Sequence, residues 1–395
     1  MRSANVFHNR RLILFKIISS IMIFFAVFAA VIEISVYSSV AASAATFSSS
    51  PFTVKYIDVG QGDASLICCD GHYMLIDGGS SKKSDTIYSI LRKNNIKELD
   101  YIVCTHPHED HAGGLPGALS YAECKTALGP VATYDNDSYN KFLKALEKKN
   151  IDLIVPEAGD TYLLGSARIE VLGPTDIVPS MDPNNISIVL RVDYGDTSFL
   201  FTGDAEQEEQ QLIMWNEYDK LDVDVLKASH HGSYNGASYA FIRAISPEIT
   251  VISCGKHNSY GHPHEEALDL FKEYKSDLYR TDLQGDITIV SDGINLSVSS
   301  EKKLTTNVWI PGQDIGINSY TDSDNSTKIL SDENAAKPDP APDTVTYIGN
   351  KNSKKLHYPG CSSVDEMKET NKVFFYGDMD EPVGQGYEPC KRCNP

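Results

Sequence analysis

The sequence predicts an α/β protein built as a sandwich of two β-sheets with helices on its outer faces. Apolar stretches typical of strands stand near both ends of the region 52–300, and helical patterns alternate with strands between them. Side chains able to bind metals follow directly after several of these strands. Sheets that are apolar on one face need a second layer to cover them, and the interleaved helices supply the outer layers.

The first half of this region is rich in strands. One predicted strand starts at residue 53 and leads into a glycine-rich loop. Three more are predicted over 65–69, 73–76 and 101–104. The strands 65–69 and 73–76 form a hairpin around Asp70 and Gly71. Apolar residues at helical spacing predict helices over 84–94 and 138–149, and Ser84 is expected to cap the first of them.

Strands and helices alternate through the second half. The predicted strands are 168–172, 186–193, 197–202, 223–227, 249–253, 286–290 and 294–300. The predicted helices run over about 205–216, 237–245 and 264–275. The last two strands are expected to pair antiparallel.

The two ends of the chain differ in character from this region. Basic residues, an apolar run over 17–32 and small residues up to Ala45 follow the order of a secretory signal, which predicts a signal peptide over 1–44. An uncleaved signal anchor that tethers the protein to a membrane is the alternative. Either form places the rest of the chain outside the cytoplasm. Loss of apolar periodicity and a proline-rich stretch predict a flexible linker over 301–343, between a domain at 50–300 and a module at 344–395.

The net charge limits the kinds of ligand that the protein can bind, and the cysteine positions predict free thiols. The formal net charge is −19, which argues against broad nucleic-acid binding through a basic surface. Phosphate chemistry at a metal centre is still compatible with it, because divalent ions reverse the local field. Most of five cysteines lie in apolar strand-like runs, where buried free thiols are expected: Cys68, Cys69, Cys104, Cys124 and Cys254.

The stretch 105–111 carries the clearest chemical signal. Three imidazoles and two carboxylates lie within six residues, between an apolar strand and the pair Gly113-Gly114. His106 and His108 can face one pole of a metal site from the strand end, while Asp110 and His111 reach a second pole from the turn. These ligands suit zinc, manganese or iron, so the sequence predicts a metal site here.

Two later stretches can supply the ligands that a second metal needs. Asp204 ends an apolar strand-like run, and His230 and His231 follow another. Each signal is weak alone, but the three stretches together are a strong one. Lys227 is open to two interpretations, namely contact with a substrate phosphate or a buried ion pair with a carboxylate.

These motifs together resemble one branch of the metallo-β-lactamase superfamily, the extracytoplasmic hydrolase domain of ComEC-like DNA-uptake proteins. The similarity covers roughly residues 52–300 and is carried by the segments 58–64, 77–79, 106–111, 202–204, 227–233 and 261–263. The resemblance implies an αββα sandwich. It also implies hydrolysis by a hydroxide held between two divalent ions, zinc or manganese.

The resemblance also implies a role for each matching residue. The implied ligands are His106 and His108 for one metal, Asp110 and His111 with one of His230 and His231 for the other, and Asp204 as the bridge. Asp77 and Asp58 would orient the site without touching the ions.

One position departs from the fuller pattern of the superfamily. Most members place another metal-binding histidine between the first loop and the bridging carboxylate, and this chain has none there. In the ComEC-like branch the position resembles an asparagine, which Asn185 matches. Asp110, Asn185 and His262 are therefore the candidate catalytic residues, and His262 would bind a phosphate oxygen or protonate the leaving group.

The C-terminal module carries a second set of metal-binding residues. His357, Cys361, Cys390 and Cys393 predict a tetrahedral structural zinc site, which would supply much of the stability of so small a module. A redox-active or disulfide-forming CxxC is the alternative. The spacing resembles the zinc-binding module of the Ada-type DNA repair protein, with His357 at its first cysteine. Because that cysteine is absent, the resemblance implies a zinc that helps to dock DNA rather than methyl transfer.

Both resemblances point to the same substrate. The sequence therefore predicts a secreted, metal-dependent phosphodiesterase or nuclease acting on extracellular DNA. The alternatives are a phosphodiesterase of a cell-wall or lipid headgroup and a non-catalytic DNA-binding protein of the cell surface. No protein partner can be inferred.

Overall fold

The computed structural model describes residues 51–175, 181–315, 347–357, 362–365, 367–375 and 380–391. The predicted signal sequence and most of the predicted linker lie outside these residues. No helix in the described part of the chain is long and apolar enough to span a membrane.

Two β-sheets form the centre of the main domain. The first contains β1 (Phe52–Tyr56), β2 (Ser65–Cys69), β3 (His72–Ile76), β4 (Glu98–Val103), β5 (Glu123–Leu128), β6 (Leu153–Ile154), β14 (Ile287–Ser291) and β15 (Leu296–Ser300). The second contains β7 (Thr161–Leu164), β8 (Ala167–Gly173), β9 (Val189–Tyr194), β10 (Thr197–Phe201), β11 (Val225–Lys227), β12 (Ile249–Ile252) and β13 (Asp277–Arg280). Their spatial orders are β15-β14-β1-β2-β3-β4-β5-β6 and β13-β12-β11-β10-β9-β8-β7.

Helices cover the outer face of each sheet. On the first sheet lie α1 (Ser84–Lys93), α2 (Glu109–Ala112), α3 (Leu115–Tyr121) and α4 (Asp137–Lys148). The helices that follow the strands of the second sheet are α5 (Gln207–Glu217), α6 (Tyr239–Ile245), α7 (Glu265–Glu273) and α8 (Thr281–Gln284). The predicted αββα sandwich is confirmed.

Three apolar cores hold these layers together. The central core lies between the sheets, where Phe52 of β1 contacts Phe199 of β10 with ring centroids 5.1 Å apart. A second core joins the first sheet to its helices and includes Ile102 of β4 and Phe142 of α4. A third joins the second sheet to its helices, with Phe241 of α6 among its members. Alternate residues along each strand thus serve different cores, as sheets packed on both faces require.

The strand predictions are confirmed in outline. The hairpin of β2 and β3 has the predicted antiparallel register, with Cys69 opposite His72, and β14 and β15 pair antiparallel. The sequence did not predict β5, β6, β7 or β13. These strands are short or carry charged residues at alternate positions, so their apolar pattern is weak.

The start of α1 differs from the prediction. A 3₁₀ turn, Ser81–Lys83, leads directly into the helix, so Lys83 takes the cap position and Ser84 is the first helical residue. The Ser84 hydroxyl donates to the Gly113 carbonyl oxygen at 3.4 Å. The prediction that Ser84 caps α1 is wrong, because the chain is already helical before it.

The five cysteines predicted to be free thiols are buried and free. Four of them, Cys69, Cys104, Cys124 and Cys254, pack among apolar side chains of the sheets and helices, as expected for a small hydrophobic residue.

Parallel strands gather several loops at one edge of the sandwich. In the first sheet β3, β4 and β5 are parallel, and in the second β10, β11 and β12 are parallel. The loops after β3, β4, β10, β11 and β12 therefore leave from the carboxyl ends of these strands. Such edges are where α/β proteins place their binding sites.

Part of the predicted linker packs against the main domain. Val308 and Trp309 contact the third core, and the buried Arg280 donates to the carbonyl oxygens of Val308 and Ile310. Residues 301–315 thus join the folded body, because the buried guanidinium needs these acceptors. Residues 316–343 lie outside the described residues.

The C-terminal module has its own small sheet. Its strands are β16 (Tyr347–Asn350), β17 (Lys355–His357), β18 (Lys372–Phe375) and β19 (Glu388–Pro389), in the order β18-β16-β17-β19. Its two short helices are α9 (Ser362–Asp365) and α10 (Asp380–Gly384). Two small apolar clusters form its core, which is the limited burial expected of so short a segment.

The buried ion pair of Arg280 provides a test of how the 301–315 segment is held. Asp282 accepts two hydrogen bonds from Arg280, at 3.1 and 2.8 Å. Replacing Asp282 with Asn leaves the buried guanidinium without its counter-charge, so the free energy of unfolding should fall by about 3–5 kcal/mol. Denaturant titration measures this change.

Glu123→Gln is the matched control, since Glu123 is exposed and pairs with Lys149 on the surface. That substitution should cost about 0–1 kcal/mol. Equal small losses in both variants would contradict the structural role given to Arg280.

Candidate metal centre

The loops at the carboxyl edge bring their polar side chains into one buried cluster. His106 and His108 follow β4, and Asp110 and His111 lie in the short helix α2 rather than in a turn. Asp204 follows β10, and the His230-His231 pair follows β11. The chain thus delivers from three separate loops the residues that the sequence singled out.

Asp204 lies at the centre of this cluster. Its Oδ2 atom is 3.7 Å from the Nε2 of His106 and 3.3 Å from that of His111. It is also 3.8 Å from the Nε2 of His230 and 3.5 Å from that of His231. One carboxylate oxygen therefore faces the same nitrogen of four imidazoles.

These separations fit shared metal ions better than direct hydrogen bonds. All four exceed the usual hydrogen-bond range of about 2.7–3.2 Å for nitrogen and oxygen. Two atoms bound tetrahedrally to zinc, each at about 2.1 Å from it, lie about 3.4 Å apart. The geometry around Asp204 therefore has room for an ion between the carboxylate and the imidazoles.

Unpartnered atoms in the cluster support the same fit. Among the described residues, the Oδ1 of Asp204 and the Nε2 of His111 are buried without a hydrogen-bond partner. Leaving such atoms unpaired costs stability unless something else satisfies them. A divalent cation would satisfy both atoms, so the residues present fit the metals that the family resemblance implies.

Burial and charge set the electrostatics of the cluster. Burial alone would raise the pKa of Asp204, but the imidazoles of His111, His231 and His106 outweigh it and hold that pKa well below its usual range. Burial favours neutral His231, yet Asp204 and Asp63 raise its pKa to about 10. The buried carboxylates thus favour positive charge in their midst, which is what a cation site needs.

His231 has the arrangement expected of a metal ligand. Its Nε2 lies 3.2 Å from the Oδ2 of Asp110, while its Nδ1 lies 3.1 Å from Asp63 and 3.0 Å from the carbonyl oxygen of Ser253. Acceptors behind Nδ1 keep the proton there and leave Nε2 free to bind a metal. His231 could therefore share a metal with Asp110 and His111.

His230 has a similar arrangement, with a carboxylate beside its Nδ1. Its Nδ1 lies 2.9 Å from the Oε1 of Glu206, which accepts a hydrogen bond from Asn184 at 3.0 Å. The sequence left open which of the two histidines is a ligand. Because both direct Nε2 toward Asp204 and have a carboxylate behind Nδ1, both could serve.

The backbone explains how two adjacent histidines reach the same carboxylate. His230 and His231 both have left-handed conformations, with φ of 45° and 56°. Such backbone conformations are unfavourable for residues other than glycine. Where they do occur, they tend to lie at functional sites. Here they turn two consecutive imidazoles inward instead of to opposite sides.

His106 and His108 stay together as predicted. The Nε2 of His106 is 3.1 Å from the Nδ1 of His108, and His106 is fully buried while His108 is partly exposed. His108 therefore lies toward the open side of the cluster, where a substrate would approach.

Asp77 takes the supporting place that the sequence gave it. Its Oδ2 lies 2.9 Å from the Nδ1 of His111, and it also accepts hydrogen bonds from the backbone and hydroxyl of Thr105. It thus fixes both the ring of His111 and the start of the metal loop.

Asp58 does not share this role. Its carboxylate accepts a hydrogen bond from the Gly60 backbone at 3.1 Å and faces Lys302, so it shapes the glycine-rich turn. The supporting carboxylate from this turn is Asp63, which the sequence analysis missed. Asp63 follows Gly62, whose missing side chain lets the turn approach the Asp110 backbone closely.

Asp63 lies within 4.8 Å of ligand atoms of His111, Asp204 and His231, and so could be counted as a metal ligand itself. Its oxygens, however, face the Nδ1 atoms of His231 and His111, at 3.1 and 3.9 Å, and it pairs with Lys227. It therefore lies behind the imidazoles and orients them. The ion pair decides between the two interpretations of Lys227 in favour of the buried pair.

Asn185, which the family resemblance makes a candidate catalytic residue, has its amide bonded to residues that follow β10. Its Oδ1 accepts from the Glu206 backbone at 2.8 Å, and its Nδ2 donates to Glu208 at 3.4 Å. Both ends of its amide are therefore used to join two loops. His230, whose Nδ1 lies beside Glu206, faces Asp204.

His262 lies beside the histidine pair. Its ring centroid is 5.4 Å from that of His230, and its Nδ1 is 3.3 Å from the Nε2 of Gln61. Since the Oε1 of Gln61 accepts from the Gly255 backbone, its Nε2 donates to His262. Burial, with His231 and His230 nearby, lowers the pKa of His262 to about 3, which favours a neutral ring with its proton on Nε2.

In the C-terminal module, two of the four predicted zinc ligands are described. Leu356 and Pro389 are paired in the parallel strands β17 and β19, so the residues that follow them, His357 and Cys390, stand at the same end of the sheet. Both are buried, and burial lowers the pKa of His357, which favours the neutral imidazole that binds metals. Cys361 and Cys393 lie outside the described residues.

Comparison with known families agrees with this geometry. The model of the metallo-beta-lactamase superfamily matches residues 57–257, which include the whole cluster around Asp204. The chain belongs to the metallo-β-lactamase superfamily. The model of the metal binding domain of Ada matches residues 333–395. Members of the superfamily are typically metal-dependent hydrolases.

Curated relatives of this superfamily member include competence proteins. ComE operon protein 3 of Bacillus subtilis is 30% identical over 257 residues, which cover 60% of this chain and 33% of that protein. Competence protein ComA of Neisseria gonorrhoeae is 29% identical over 229 residues, or 58% of this chain and 30% of that protein. The chain thus spans about a third of the length of these relatives.

Solved structures show weaker similarity. The metallo-beta-lactamase fold protein YhfI of Bacillus subtilis has a TM-score of 0.40 and 14% identity, covering 63% of this chain and all of that one. Similarity at this level says nothing about function.

The two histidines after β11 can be tested through metal content. If each serves one ion, His230→Ala and His231→Ala should each reduce the bound metal by one ion per chain, because each removes a ligand. Elemental analysis after stripping and reloading with manganese or zinc measures this, and thermal unfolding checks that the variants are folded.

His257→Ala is the matched control, since His257 is an exposed histidine outside the cluster. Its metal content should equal that of the unaltered protein. Full metal content and unchanged affinity in His230→Ala would show that His230 is not a ligand.

Proposed function

We propose that this protein is a metal-dependent phosphodiesterase that cleaves DNA outside the cytoplasm. The observation that carries the proposal is the convergence of four imidazole nitrogens on the buried Asp204 carboxylate. The carboxylate of Asp110 and the imidazole of His108 extend this cluster toward its open side. A set of this size suits two divalent ions.

Different residues of the chain would bind the metals and orient the metal ligands. Two divalent ions, when bound, supply an activated water and positive charge for the phosphate group. Asp204 faces the Nε2 atoms of four histidines, while Asp63, Asp77 and Glu206 lie beside the Nδ1 atoms of His231, His111 and His230. Ligands fixed from behind keep their geometry without reorganisation during the reaction.

The open side of the cluster suggests where the substrate binds. His108, Asp110 and His230 are partly exposed, whereas His106, His111, His231 and Asp204 are buried. His262 lies next to His230 and is held by Gln61 so that its Nε2 can donate a hydrogen bond. It is placed to donate to a phosphate oxygen rather than to act as a charged acid.

Support for DNA as the substrate comes from the relatives and from the C-terminal module. The competence proteins among the relatives, and the DNA-uptake branch that the motifs resemble, favour DNA. The Ada-like module would supply a zinc-stabilised surface for docking it. With a net charge of −19, the protein would bind DNA locally at these sites rather than through a broad basic surface.

An extracytoplasmic location is part of the proposal. The charged, apolar and small-residue order of the N-terminal segment supports export, and competence relatives support a role at the cell envelope.

The proposal is tested by cleavage of plasmid and single-stranded DNA with the protein stripped of metal and then reloaded with manganese or zinc. Cleavage should require metal, and Asp204→Asn should reduce its rate by at least about 100-fold, because loss of a direct ligand exceeds the effect of losing a supporting residue. Gel analysis of the products measures both effects.

His257→Ala serves again as the control and should cleave DNA at the rate of the unaltered protein. Cleavage of bis-p-nitrophenyl phosphate without cleavage of DNA would retain the phosphodiesterase and reject DNA as its substrate. Failure to cleave either compound would contradict the proposal as a whole.

A further inference from the structure

A row of aromatic rings leads from the metal centre to the surface. The ring of His262 lies 5.4 Å from His230 and 4.8 Å from His264. At its outer side, Tyr260 stacks on His262 at 5.5 Å, and Tyr234 lies 5.3 Å from His264. The exposed fractions of Tyr260 and Tyr234 are 65% and 47%, although large aromatic residues usually pack inside.

Hydrogen bonds hold these rings in place. The Oδ1 of Asn258 accepts from the backbones of Tyr260 and His262, at 3.1 and 3.0 Å. His264 links the two tyrosines, because its Nδ1 lies 3.1 Å from the Tyr234 backbone nitrogen and its Nε2 lies 3.0 Å from the Tyr260 carbonyl oxygen. The exposed rings therefore stand on a fixed support.

The surrounding chain makes this support rigid. Gly312 packs so closely against the His262 carbonyl that a side chain there would clash, and its N–H donates to the Pro263 carbonyl at 2.9 Å. Fixed aromatic rings bind a flat partner with little loss of entropy.

We propose that Tyr234 and Tyr260 form a stacking platform for unpaired nucleobases beside the phosphate to be cleaved. The inference rests on the proposed function and makes it more specific, since it assigns single-stranded DNA as the substrate class. The two tyrosines are the residues that would bind the bases, while the metal centre binds the phosphate.

Charge favours nucleobases as the partner of this platform. An acidic protein gains little from attracting the DNA backbone as a whole, whereas stacking on a base needs no positive charge. In a duplex the flat faces of the bases are covered by their neighbours. Only an unpaired strand, a frayed end or a loop can present them to the tyrosines.

Equilibrium binding to short oligonucleotides tests this inference. Fluorescence anisotropy would compare a single-stranded thymidine oligonucleotide, the same strand with abasic sites and a duplex, each with phosphorothioate linkages to slow cleavage. The full chain, loaded with manganese, should bind the thymidine strand at least about tenfold more tightly than the abasic strand.

Variants of the two tyrosines separate stacking from other effects. Tyr260→Ala and Tyr234→Ala should weaken binding of the thymidine strand by about tenfold and leave binding of the abasic strand unchanged. Tyr260→Phe should bind as the unaltered protein does, because it keeps the ring. Tyr218→Ala is the matched control, since Tyr218 is an exposed tyrosine at the end of α5, away from this row.

Three results would overturn the inference. The alanine variants could bind the thymidine strand with unchanged affinity, or the abasic strand could bind as tightly as the thymidine strand. The alanine variants could also lose affinity for a phosphodiester-linked wall saccharide but not for DNA, which would assign the platform to sugar rings.

The inference and the proposed function can fail separately. Base-dependent binding without DNA cleavage would keep the platform and reject the nuclease. Metal-dependent cleavage without base-dependent binding would keep the nuclease and reject the platform.

Discussion

The burial of the Asp204 carboxylate among four imidazoles is the constraint on which the site depends. A buried carboxylate is costly unless it is paired, and this one faces Nε2 atoms at 3.3–3.8 Å, which is too far for good hydrogen bonds. The fold brings three loops from the carboxyl edges of two sheets to that point. It also accepts left-handed backbone at His230 and His231. The buried carboxylate and the left-handed backbone both cost stability, and bound cations would offset that cost by neutralising the carboxylate.

Carboxylates behind the imidazoles make the arrangement specific. Asp63, Asp77 and Glu206 lie near the Nδ1 atoms of His231, His111 and His230, so each ring directs its other nitrogen toward Asp204. Lys227 offsets the charge of Asp63. Tyr234 lies in the loop of His230 and His231, whereas His262 and Tyr260 lie in the loop after β12. His264 joins these two loops through the backbones of Tyr234 and Tyr260.

The sequence predicted the layers of the fold and most of the cluster, because both rest on local patterns. Apolar runs ending in histidine or aspartate marked the loops of His106, Asp204 and His230. It missed Asp63 and Glu206, since a single carboxylate in a turn has no pattern that shows which ring it faces. It misassigned Asp58 for the same reason. The prediction that Ser84 caps α1 was wrong because the turn before it has no apolar pattern and could not be predicted from the sequence.

The most direct test of this account is the electron paramagnetic resonance spectrum of the protein loaded with manganese. If Asp204 bridges two ions, the spectrum should show an exchange-coupled pair, and Asp204→Asn should replace it with the signal of isolated ions. A fully loaded protein that shows only isolated ions, or a coupled spectrum that survives in Asp204→Asn, would contradict the central role given to this carboxylate.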